Sequence, residues 1–187
     1  MKRFFKEFIF PGALKYRLCM LIPAAVLIFL DQWFKYLAVV HLKDAPSFVI
    51  LDGVFELAYV TNIGASFGML GGQRWFFIAI TTVVMLFLLL VILNGRYRRQ
   101  PLLNVSFVLV LAGGIGNLID RVVNGYVIDY LYFKLIDFPV FNFADCCLVI
   151  GAIFMVIFFL FIYDDKSSKK VALKKGAADD SKELDNS

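Results

Sequence analysis

Trp75-Phe-Phe-Ile-Ala-Ile-Thr-Thr-Val-Val-Met-Leu-Phe-Leu-Leu-Leu-Val-Ile-Leu93 carries no charge, and its only hydroxyls are those of Thr81 and Thr82. About 20 apolar residues in a helix cross the roughly 30 Å hydrocarbon core of a bilayer, and this run is close to that length. Its polar borders are abrupt: Arg74 on one side, and Asn94-Gly-Arg-Tyr-Arg-Arg-Gln100 on the other. Three further runs of similar length lie around it, at Leu18–Val40, Leu102–Ile119 and Val140–Phe161. The whole chain has 187 residues, of which 61% are hydrophobic and 18% charged, with a mean hydropathy of +0.80. A soluble domain would have no place for that apolar surplus except its surface. The expected fold is an α-helical integral membrane protein with four transmembrane helices in a single domain, residues 1–163. The first run is too long for a cleaved signal and holds Asp31 and Lys35, with no small-residue cleavage site after it. It reads as a retained helix.

Between the runs the pattern changes. Phe48-Val-Ile-Leu51, Asp52-Gly53 and Val54-Phe-Glu-Leu-Ala-Tyr-Val60 read as two strands around a turn, and a glycine-rich stretch, Thr61 to Gly72, follows. A small β segment is therefore expected at about 46–72. Residues 122–139 are a second irregular connection with strand character. Lys and Arg concentrate in the N-terminal arm, the 94–100 loop and the tail, while the two structured connections carry only Lys43, Arg74 and Lys134. The excess of Lys and Arg on cytoplasmic loops then puts both termini in the cytoplasm and both structured connections outside. Residues 164–187 mix Lys, Asp and Ser with few apolar groups and are expected to be disordered.

The net charge of +4 falls in short clusters beside apolar runs, without an interleaved basic and aromatic surface, so no nucleic-acid partner is expected. Cys19, Cys146 and Cys147 form neither a CxxC pair nor an even set and read as inert buried thiols; with a single histidine, His41, no metal site is expected. Neither is a cofactor.

Ionisable groups inside a bilayer are costly, so each is a functional candidate. Asp31 and Lys35 stand at i and i+4 on one helix face. They form either a neutralising ion pair or a structural part of a site. In Gly113-Gly-Ile-Gly-Asn-Leu-Ile-Asp-Arg121, Gly113, Asn117 and Arg121 share a stripe. Its glycines allow close approach of another backbone, and its outer end carries an amide and a fixed charge. Asp129 lies in the extended Tyr126-Val-Ile-Asp-Tyr-Leu-Tyr-Phe133. Asp145 lies in Phe138-Pro-Val-Phe-Asn-Phe-Ala-Asp145, where Asn142 marks a helix start and shares a face with Asp145. Spacing alone does not bring the two aspartates together, and a lone Asp at a membrane boundary is often only solvated. Gly64-Ala-Ser-Phe-Gly68 matches G-x-S-x-G, but no histidine follows it and no α/β sheet surrounds it, which argues against Ser66 as a nucleophile.

Taken in order, Asp31 with Lys35, Thr61-Asn-Ile-Gly-Ala-Ser-Phe-Gly68, Gly113 to Arg121, Val127-Ile-Asp-Tyr130 and Phe138 to Asp145 resemble the five motif blocks of the lipoprotein signal peptidase (signal peptidase II) family. Ser66 stands where many members carry Ala. The resemblance implies four membrane helices with a small extracytoplasmic β-cradle, in the bacterial inner membrane. It implies an intramembrane aspartyl endopeptidase that cuts a diacylglyceryl-modified prolipoprotein before its lipidated cysteine. Asp129 and Asp145 match the catalytic pair, and the site lies near the outer face. Asn62, Gly64, Gly114, Asn117, Arg121, Asn142, Asp31 and Lys35 match supporting or substrate-binding positions. Membrane lipid, the prolipoprotein and globomycin-type inhibitors are the expected partners of a monomer. Two rivals remain on sequence grounds: a small transporter using the membrane charges as an ion path, and an assembly factor without chemistry.

Overall fold

The computed structural model describes residues 11–64 and 72–163. The N-terminal arm, most of the glycine-rich stretch with Ser66, and the tail therefore lie outside the described residues. Four helices are long and apolar enough to cross a membrane. They are α1 (Pro11–Leu42), α2 (Arg74–Asn94), α3 (Pro101–Val123) and α4 (Phe143–Ile157, continued by a π-helical segment to Tyr163). Three boundaries differ from the sequence expectation. Among the described residues helix α1 is already formed at Pro11 and carries Lys15 and Arg17 ahead of the apolar run; the Arg17 guanidinium caps a C-terminal carbonyl of α2, that of Leu93, at 2.9 Å. Helix α3 runs two residues past Arg121, to Val123, where Arg74 donates to the carbonyls of Arg121 and Val122. Helix α4 starts at Phe143 and not at Val140, since Phe141 is still paired with Leu131 in an antiparallel bridge.

Helix α3 is the axis of the bundle. In its most apolar window 56% of residues are buried, against 17% in α2 and in α4. Without a hydrophobic drive between helices in lipid, close contact comes from small residues, and α3 meets α4 through them. A methyl on Gly113 would stand 2.3 Å from the Ala144 carbonyl oxygen and 3.1 Å from the Leu148 nitrogen. On the other helix a methyl on Gly151 would stand 3.1 Å from the Ser106 carbonyl, and the Ser106 hydroxyl donates to the Gly151 carbonyl at 2.6 Å. The three glycines of α3 serve three neighbours: Gly113 takes the α4 backbone, Gly114 seats the Met85 side chain and Gly116 seats the Asp31 carboxyl. Because backbone cannot yield as a side chain can, Gly113→Ala should push α4 away at a cost of about 1–3 kcal/mol. Thermal unfolding in detergent reads this, and an unchanged midpoint would contradict it.

The connections at the other end build a three-stranded antiparallel sheet in the order β1 (Phe48–Leu51), β2 (Phe55–Asn62), β3 (Val127–Phe133). The hairpin turn at Asp52-Gly53 is as expected, with Gly53 at φ +68°. The third strand comes from the second connection, so the sheet is not confined to 46–72. Val60 pairs with Asp129 and Asn62 with Val127, and the register slips between Leu57 and Val60. The Glu56 carboxyl, almost wholly buried, accepts from Ser47 at 2.8 Å and from Lys134 at 2.6 Å, tying the two connections together.

Candidate active site

Strand β3 is buried on both faces from Val127 to Tyr130. One face packs on Ala38 and Leu42 of α1 through Ile128 and Tyr130. By alternation Asp129 faces the other way, and it lies on the wall of a cavity of about 760 Å³. Asp145 reaches the same cavity from the third position of α4. It stands there because Asn142 is the N-cap: the Asp145 N–H donates to Asn142 Oδ1 at 3.0 Å, and the Asn142 N–H donates to Asp145 Oδ2 at 3.2 Å.

That cap decides what Asn142 can do with its other end. Its Oδ1 is occupied by a backbone N–H, so the outward group is the amide –NH₂. It donates to Asp129 Oδ1 at 2.6 Å. Asn142 therefore touches both aspartates. The same reasoning fixes Asn117. Its Oδ1 accepts from Lys35 Nζ at 2.9 Å, and an ammonium can only donate, so Asn117 Nδ2 must point the other way, to Asp145 Oδ1 at 2.8 Å. Asn62 holds the second oxygen of Asp129 at 3.0 Å while its own Oδ1 accepts from the Gly64 N–H. Arg121 donates to the carbonyls of Gly64 and Asn117 and lies 5.2 Å over the Phe77 ring, with its guanidinium on the cavity wall. Below this polar rim the cavity is apolar and runs between α2 and α4, lined by Ile80, Val84, Met85, Leu148 and Val149, with Gly114 at its side.

Asp129 is 2% exposed. Burial, followed by the nearby Asp145 charge, pushes its carboxyl up from the ordinary range to about 6, against the opposing hydrogen bonds from Asn62 and Asn142. A carboxyl raised on folding costs nothing below about pH 4, where it is protonated in both states. It weakens the fold as pH rises towards 6, because only the unfolded chain ionises freely. From 3.8 to about 6 is roughly 3 kcal/mol at full effect. Asp129→Asn should thus gain thermal stability relative to wild type between pH 4 and pH 7. A difference between the two that stays flat with pH would remove the shifted carboxyl.

Of the positions expected from the sequence, Asp129, Asp145, Asn62, Asn117, Arg121 and Gly114 line one cavity, and Asn142 and Gly64 brace them. Asp31 and Lys35 stand behind the wall, 1% exposed each. Sequence reasoning missed Asp120 and Gln32, which join Lys35 there. Asp120 was visible as one more carboxylate in an apolar helix, and its i+3 spacing from Asn117 was the signal. Among the described residues no cluster of three His, Cys, Asp or Glu could hold a metal ion.

Known proteins resemble this chain in sequence and in fold. The family model for "Signal peptidase (SPase) II" matches residues 23–161. The chain is 44% identical over 128 residues to a "Lipoprotein signal peptidase" of Brevibacillus brevis, covering 68% of this chain and 85% of that protein. It is 38% identical over 147 residues to a protein of the same description from Enterococcus faecalis, covering 79% and 89%. A solved structure described as "Bacterial membrane enzyme structure by the in meso method at 2.3 A resolution" superposes with a TM-score of 0.70 at 30% identity, covering 81% of this chain and 91% of the other. A second, at 1.9 Å resolution, gives 0.69 at 31% identity.

Proposed function

Since the chain belongs to the signal peptidase II family, aspartic peptidases of the membrane that remove signal peptides from prolipoproteins, we propose that Asp129 and Asp145 are its reacting pair. The observation that carries this is Asn142, one residue that donates to both carboxyl groups on the cavity wall, through its side-chain amide to Asp129 and through its backbone N–H to Asp145.

Two carboxyls sharing a poorly solvated site do not both ionise readily; one keeps a proton and the pair titrates together. The raised Asp129 is assigned that proton. Each carboxyl receives two N–H donors, but Asp145 stands at a helix N-terminus, where negative charge is favoured, and is assigned the charge. Asp145 then takes a proton from a water that attacks the scissile carbonyl. Asp129 gives its proton to the carbonyl oxygen; when the tetrahedral intermediate collapses, Asp145 passes the water proton to the leaving amine and Asp129 recovers a proton from the gem-diol hydroxyl. The guanidinium of Arg121 and the amide of Asn62, both on the cavity wall, hold the substrate backbone or a lipid ester. The peptide must be extended at the cut, because a helical carbonyl is already hydrogen-bonded.

The substrate is assigned as a prolipoprotein whose cysteine carries diacylglyceryl, cut just before that cysteine. Its acyl chains and signal helix enter sideways between α2 and α4, along the apolar part of the cavity. Charge distribution supports a bacterial inner membrane orientation with cytoplasmic termini and the sheet end outside. Globomycin-type inhibitors are assigned to the same cavity, and the working unit to a monomer. Purified protein mixed with a diacylated preprolipoprotein should produce the shorter band on a gel. No shift, together with ion flux in proteoliposomes, would favour the transporter reading.

A further inference from the structure

Behind the cavity wall, Lys35 Nζ lies 2.9 Å from Asp31 Oδ2, 3.0 Å from Asp120 Oδ2 and 2.9 Å from Asn117 Oδ1. None of these groups is more than 5% exposed. An ion cluster is a costly way to hold a bundle together, since well-packed apolar side chains of the same volume are often as stable or more so. Its placement is more specific than packing requires. The other oxygen of Asp31, Oδ1, accepts the backbone N–H of Ala144 at 3.0 Å. Asp120 Oδ2 accepts the backbone N–H of Ile128 at 3.1 Å. Ala144 directly precedes Asp145, and Ile128 directly precedes Asp129.

We propose that Lys35, through Asp31 and Asp120, is the positioning element that sets the separation of the two aspartates. One ammonium gathers two carboxylates from different helices. Each carboxylate holds the backbone N–H of the residue immediately before one aspartate, and Asn117, oriented by the same ammonium, holds the side chain of Asp145. The strand and the helix that carry the pair meet at the Leu131–Phe141 bridge, through Asn142 and where Phe143 packs on the cluster of Ile128 and Tyr130. The Lys35 cluster supplies a further tie to both backbones, joined to Asn142 through the shared Asn117 Oδ1. A misplacement of about 1 Å at reacting groups costs on the order of 10²-fold in rate, so such a tie bears on turnover more than on substrate binding. The inference rests on Asp129 and Asp145 being the reacting pair.

Asp31→Asn severs the tie with least disturbance. It keeps one oxygen for the Ala144 N–H but turns an amide –NH₂ towards Lys35. Asp120→Ala removes the hold on Ile128 and serves as the second variant. With full-length protein and a diacylated preprolipoprotein, kcat should fall about 10-fold or more in each folded variant, while KM stays within about 2-fold. Wild-type kcat in a folded Asp31→Asn enzyme overturns the proposal. So does a loss confined to KM, or activity that falls only in step with the folded fraction in both variants. Full activity in the Asp129→Asn or Asp145→Asn enzyme would instead overturn the dyad.

Discussion

Asp129→Asn and Asp145→Asn should each abolish release of the signal peptide while leaving the protein folded. General acid–base catalysis by a placed side chain is worth about 10²–10⁴-fold, and when two groups act as one unit, removing either forfeits most of the joint effect. A fall of roughly 10³-fold or more in kcat is expected for each, with the double variant little worse than either single. Asn is nearly isosteric with Asp and keeps one acceptor oxygen. In Asp145→Asn that oxygen can still take the Asn117 amide or close the cap with the Asn142 N–H. In Asp129→Asn it can still take Asn62 or Asn142. Folding is checked by the thermal midpoint, and cleavage by the gel shift of a diacylated preprolipoprotein. Activity retained by either folded variant would remove that aspartate from the mechanism. Ser66→Ala in the same assay should cleave as wild type does, and its inactivity would revive a serine nucleophile.

The largest effect on stability is expected from Lys35→Met. The methionine fills a similar volume and is apolar, so packing is largely kept. What is lost is the only ammonium within reach of the facing oxygens of Asp31, Asp120 and Asn117 among the described residues. Breaking a buried ion pair by removing one partner costs about 3–5 kcal/mol, because the other partner stays behind uncompensated. Here two carboxylates stay behind. Asp31 can still accept from Gln32 and Ala144, and Asp120 from Gln32 and Ile128, so neither is left bare. Their mutual repulsion remains. The thermal midpoint in detergent should drop sharply, and adding Asp31→Asn to Lys35→Met should restore part of the loss. A Lys35→Met protein as stable as wild type would mean that the cluster contributes nothing to the fold.

The wild-type sequence already carried the bilayer solution. Four runs of near-spanning length admit no other placement for so much apolar side chain, and the Asp52-Gly53 turn and the Asn142 cap were legible because short-range chemistry needs no tertiary partner. Asp129 and Asp145 were nameable as carboxyls out of place. Their union was not, since they lie on a strand and a helix whose meeting depends on the bridge between Leu131 and Phe141. Asp120 read as one polar residue among those ending α3; only the packed bundle turns its side chain inward, to Lys35 and the Ile128 N–H.

Membership of the family was likewise written in the order of five short motifs along the chain. The separate jobs of neighbouring residues were not. Gly113, Gly114 and Gly116 are alike in sequence, yet one faces a backbone, one a thioether and one a carboxyl. Local patterns specify where a chain bends and which surface it hides, because those are contests between a residue and its solvent. Which buried polar atom faces which other is a contest among distant segments, and only the packed bundle decides it.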